Sequence, residues 1–160
     1  MAALAIYHIA LVTHIIGLTI LAGTTLVDYI ITKQFWKQYA KDKSKGFIIS
    51  ELMSKFQVLP RIGGLLLIIS GIGMMAITHG AFGEQIWFRI KFGLVIIIII
   101  NALALGRRQV MKLKKLLSQE TSGENVDAKL LKVKTNINWF HISQITFFII
   151  IFVLSVFKFN

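Results

Sequence analysis

The chain has 160 residues, of which 56% are hydrophobic and none is cysteine, and it carries a net charge of +11. Its mean hydropathy of +0.73 is more apolar than a soluble domain of this size can cover, so lipid is the expected solvent. Disulfides, thiolate catalysis and Cys-ligated zinc or iron–sulfur centres are excluded, and the basic charge flanks the apolar runs in a way that argues against nucleic acid as a partner.

In chain order, the spacing predicts an all-α integral membrane four-helix bundle, one transmembrane domain over 1–160. The spans are expected at about 3–31, 59–78, 86–105 and 139–157, each near the roughly 20 residues that cross a bilayer as a helix. Backbone groups in lipid must be satisfied internally, so the β-branched run Val95 to Ile100 is read as helix and not strand. The start, Met1-Ala-Ala-Leu-Ala-Ile, lacks a basic n-region, and the first span is expected to be retained.

The segments 32–58 and 106–138 are expected as cytoplasmic loops. Lys33 to Arg61 and Arg107 to Lys134 together hold 15 of the 18 Lys and Arg residues. By the positive-inside rule this places both termini on the outer side of a cell membrane, here expected to be a bacterial inner membrane. Within the first loop, Phe47, Ile48, Leu52 and Phe56 recur at helical spacing, which predicts a short amphipathic helix lying on the membrane, with Pro60 in the first turn of the second span. The third helix is expected to continue past Arg108 through Val110, Leu113 and Leu116. After a turn at Thr121-Ser-Gly-Glu-Asn, the fourth is expected to begin near Val126 with Asn125 as its N-cap.

Polar residues within spans are expected to face the bundle interior. On the first helix, His14, Gly17, Leu18, Leu21, Thr25 and Asp28 share a face. On the second the line is Arg61, Gly64, Ile68, Gly71, Met75 and Thr78. Lys91, Val95, Ile98 and Ala102 line the third, and His141, Gln144, Ile145, Phe148, Phe152 and Ser155 the fourth. Depth arithmetic gives two polar layers. The outer holds His14 and His8 with Lys91; the inner holds His141 with Asp28, Arg61, Gln144 and Asn101, where Asp28 and Arg61 are placed to form an ion pair.

Without cysteine, the strong soft-metal or heme ligands are His8, His14, His79 and His141. A mid-bilayer imidazole needs a partner, which singles out His14 and, second, His141 as metal-ligand candidates. Heme in a four-helix bundle needs an axial imidazole, room for the ring and basic anchors for the propionates. His14 with Gly17 offers the first two, and Lys91 or Arg89 the third. His8 and His14 point about 120° apart around the helix, so they do not readily ligate one iron together.

The four spans, the first-helix histidine and the run Ile86-Trp87-Phe88-Arg89-Ile90-Lys91-Phe92-Gly93-Leu94 resemble the HemJ-type membrane protoporphyrinogen oxidases and their four-span relatives. The pair Ala22-Gly23, downstream of His14, and the last span from Asn138 to Val156 are similar as well. The resemblance implies heme b bound by His14, with Lys91 needed nearby, and oxidation of protoporphyrinogen IX to protoporphyrin IX. His8 is the rival for the matched position. The sequence departs from the family where His141-Ile142-Ser143 replaces an Asn-Glu followed by proline, and where Asp28 replaces a basic residue.

The leading expectation is therefore a redox-active, heme b-binding membrane protein. Lys91 and His141 are its candidate catalytic residues, and His14, His8, His141, Lys91 and Gly17 line its cofactor. A porphyrin or quinone-type small molecule is the expected partner besides lipid, and a homo-oligomer is left open. The rival readings are a bis-histidine cytochrome for electron transfer and a copper or small-solute transporter similar to CopD-type domains.

Overall fold

The computed structural model describes residues 2–81 and 83–157. It contains α1 (Ala2–Tyr39), α2 (Lys43–Phe56), α3 (Val58–Ile77), α4 (Ile86–Asn101), a π-helical turn (Ala102–Gly106), α5 (Arg107–Thr121) and α6 (Asp127–Phe157). No strand occurs among the described residues. Four continuous rods are long and apolar enough to cross a membrane: α1, α2 with α3, α4 with α5, and α6. In the most apolar stretches of the first and third rods only 6% of positions are covered by protein, so Leu4, Ile9, Ile100 and Leu103 are left for lipid. The fold is an all-α membrane four-helix bundle.

The rods outrun the bilayer. At 1.5 Å per residue, the 38 residues of α1 extend about 57 Å, against roughly 30 Å of hydrocarbon. The excess of all four rods gathers at the basic end, and the segments expected as loops are almost wholly helical there. Phe35, fully buried, packs with Met53, Leu113, Leu116, Leu117, Val126, Leu130, Val133 and Ile137 in a water-side core. The amphipathic helix predicted to lie on the membrane exists as α2, but it packs against α1 instead. The close fit of Gly46 to Tyr39 and the burial of Met53 hold it there; of the expected apolar face, Phe47 packs on the core, while Ile48 and Leu52 stay exposed.

Local signals set the ends. Asp42 caps α2 through its carboxylate, which accepts from the Ser44 amide at 2.9 Å. The α5–α6 turn uses Gly123 at φ +87°, a left-handed conformation that glycine adopts without strain, and Asn125 Oδ1 accepts from the Asp127 amide at 3.3 Å. The extension of the third helix and the start of the fourth fall as the sequence implies.

Around the bundle, α3 packs on α1, α1 on α6, and α6 on α4. Among the described residues α3 and α4 share no extensive seam. The ring of helices is therefore closed on three sides and loose on the fourth.

Candidate functional site

The α1–α3 seam brings two helix backbones into contact. A Cβ on Gly17 would lie 2.8 Å from the Leu67 amide nitrogen and 2.9 Å from the Gly63 carbonyl oxygen. One on Gly63 would lie 2.8 Å from the Leu21 amide nitrogen. Two glycines facing each other thus let the backbones touch, as small residues do in membrane helix pairs. The antiparallel register that follows sets Leu21 at Gly63, Gly17 at Leu67, and His14 at Ser70.

His14 Nδ1 lies 3.0 Å from Ser70 Oγ. With the Ser70 hydroxyl donating to the Leu66 carbonyl at 2.6 Å, Ser70 Oγ is an acceptor suited to the Nδ1–H tautomer of His14. The Nε2 atom then bears the lone pair. The His14 ring lies over Gly71, where a Cβ would come 3.4 Å from its Cε1.

Across the bundle α4 and α6 are cross-linked at three levels. Lys91 Nζ donates to Ser155 Oγ at 3.0 Å, Gln144 Nε2 to the Ile98 carbonyl at 3.1 Å, and Asn101 Nδ2 to Ser143 Oγ at 2.9 Å. The lateral gap between the α1–α3 pair and the α4–α6 pair is a cavity of about 40 Å³ into which both His14 and Lys91 reach. Its walls are otherwise apolar, with Leu18, Leu21, Ile68, Val95, Ile98 and Phe148 among them, and Gly64 leaves the α3 side thin.

The other expected site residues are placed differently. Gly17 is buried against the α3 backbone and leaves no space beside His14 on that face. His8 is exposed and contacts the Tyr7 ring, so the outer layer consists of His14, Ser70 and Lys91 without it. His79 sits exposed in the short turn, at φ +50°. His141 is 2% exposed and belongs to the inner layer, where its Nε2 meets Asp28 Oδ2 at 3.0 Å. Tyr29 and Phe140 cover its ring.

The expected Asp28–Arg61 pair does not form. In the α1–α3 register Asp28 passes the level where α3 begins, and Arg61 turns outward and is exposed; Asp28 turns to His141 on α6 instead. The interior line of the second span is displaced as well. Gly63, Leu67 and Ser70 are buried and Arg61 and Met75 exposed, while Gly64 and Ile68 of the expected line border the cavity and Gly71 lies under the His14 ring. On α6 the buried residue is Ile151 and not Phe152. Ser70, the partner of His14, was not among the expected site residues. Its signal is a hydroxyl seven residues after a glycine in an otherwise apolar run, once Gly63 and not Gly64 is taken as the contact.

Among the described residues no three His, Asp or Glu side chains converge to hold a metal ion, and His14 and His141 each have a separate partner. No curated protein and no solved structure matches the chain. A family model does, over residues 8–159, and it agrees with the four rods and the lipid-facing surfaces: the chain belongs to the family described as predicted integral membrane protein (DUF2269).

Proposed function

We propose that the protein binds heme b within the membrane, with His14 as the residue that would hold its iron. One observation carries the reading. His14 Nδ1 meets Ser70 Oγ, whose hydroxyl has the Leu66 carbonyl as acceptor; the Nδ1–H tautomer fits that arrangement and leaves Nε2 unprotonated, and Lys91 lines the same apolar cavity. A ligating histidine typically donates its second N–H to an oxygen, which fixes the tautomer and raises its basicity. The donor set therefore fits the group. The cavity itself accommodates only water-sized molecules, and the width of a macrocycle has to come from the loose α3–α4 side.

When bound, heme would supply one-electron chemistry. This chain's residues would orient it: His14 through nitrogen, Lys91 by pairing with a propionate, and the aliphatic walls by excluding water. The same ammonium suits the carboxylates of a porphyrinogen. Oxidation of protoporphyrinogen IX to protoporphyrin IX, with a quinone-type acceptor taking the hydrogens, is the finer reading, supported by the resemblance around Lys91. The bis-histidine and copper alternatives have no comparable pair of side chains in one cavity.

The test is an absorption spectrum of protein purified in detergent from heme-supplemented cells. A Soret band that disappears in His14→Ala and persists in His8→Ala is expected. Colourless wild-type protein ends the proposal, and a band retained in His14→Ala reassigns the ligand.

A further inference from the structure

The inner layer holds a second polar constellation, separate from the His14 cavity. His141 Nδ1 and Gln144 Oε1 are both buried without a hydrogen-bond partner, on residues 2% and 3% exposed. Buried polar atoms left unpaired are costly, more so where lipid replaces water around the bundle.

The neighbours of each atom indicate its hydrogen-bonding sense. His141 Nε2 lies 3.0 Å from Asp28 Oδ2; in the neutral imidazole that donates to this carboxylate, Nδ1 is an acceptor. Gln144 Nε2 donates to the Ile98 carbonyl, so Oε1 is also an acceptor. Residues three apart on a helix have Cβ atoms about 5–6 Å apart on one face, which is within the span of one small molecule donating to both. The group that fits two buried acceptors has two donors and little volume.

We propose that Asp28, His141 and Gln144 form a buried hydrated site in which one water molecule donates to His141 Nδ1 and to Gln144 Oε1. Buried waters commonly satisfy such otherwise unpaired groups. The Asp28 side chain is 34% exposed, so the constellation is not sealed on that side. With water on Nδ1, a proton brought in as hydronium can bind there, leaving the water neutral, while the Nε2 proton passes to the Asp28 carboxylate. The reverse steps restore the starting state, so the ring protons exchange with those of water without net transfer. This site stands apart from the heme proposal.

Histidine-¹⁵N-labelled protein in nanodiscs, studied by water-edited solid-state NMR, tests it. For wild type, the His141 Nδ1 resonance is expected to be that of an unprotonated nitrogen accepting a hydrogen bond, with magnetisation arriving from water. Gln144→Leu should remove the water transfer and slow deuterium exchange at His141 Nε2 by about tenfold, the scale of one lost hydrogen bond. The His14 resonances, still showing Nδ1–H, report that the variant is folded. A dry, bare Nδ1 in wild type overturns the proposal whatever the variant does. So does a water signal unaltered by Gln144→Leu in a folded protein. Heme absorption enters neither readout, so the two proposals fail separately.

Discussion

At the residue scale, the consequential group is a serine hydroxyl. Ser70 spends its proton on its own helix and leaves its oxygen for His14, and that order of donation decides which imidazole nitrogen is available. Ser70→Ala removes the acceptor and frees the tautomer, and second-sphere losses of this kind weaken metal sites by about 10–100-fold. On the proposal that His14 holds heme, titration of the purified protein with hemin should show weaker binding in Ser70→Ala, with Ser70→Thr close to wild type; equal affinity of alanine and wild type would separate the hydroxyl from ligation. His14 was legible in the sequence because an imidazole inside an apolar run demands an explanation. Ser70 was not, because a serine in a membrane helix usually satisfies itself on the preceding turn, and only the facing helix shows that its oxygen has a second use.

At the scale of elements, the α1–α3 seam sets the register on which the site depends. Gly63→Val would drive a branched side chain into the α1 backbone, and overpacking of that kind costs about 1–3 kcal/mol or more. Thermal unfolding followed by tryptophan fluorescence should show a marked loss of stability. Gly23→Ala, with open space around the added methyl, should unfold like wild type. A second prediction concerns α2. Hydrogen bonding from Ser44 holds the Asp42 carboxyl below its ordinary range. Since the folded-state value is depressed, the stabilisation is fully present above the unfolded carboxylate pKa and is lost as pH falls through the lower folded value. Amide exchange at Ser44 to Gly46 should therefore accelerate on acidification, and Asp42→Asn, which still caps but does not titrate, should flatten that profile. The helices and their caps were readable from the chain because they rest on local periodicity and on single residues such as Asn125. The interior line of α3 was not, since Gly63-Gly64 allows either glycine to face α1 and the choice belongs to the partner.

At the scale of the whole molecule, charge asymmetry and the absence of native cysteine make topology directly measurable. Single cysteines at Ala81 and Ser122, both exposed at opposite ends, should react differently with an impermeant maleimide in intact cells. Ala81→Cys is expected to label at once and Ser122→Cys only after permeabilisation; the opposite pattern would invert the protein in the membrane. The sequence by itself determined the membrane solvent, the four spans, the helical class and the segregation of basic residues to one end, because these follow from hydropathy, length and charge read along the chain. Tertiary structure alone decided that the supposed loops stack into a water-side core around Phe35, that Asp28 meets His141 and not Arg61, and that His14 shares a cavity with Lys91 while Gly17 and His8 do not. Those outcomes depend on the rotation and register of one helix against another. Such relations are fixed by backbone contact at Gly17 and Gly63 and by cross-links such as Asn101 with Ser143, which pair residues far apart in the chain and leave no local pattern to read.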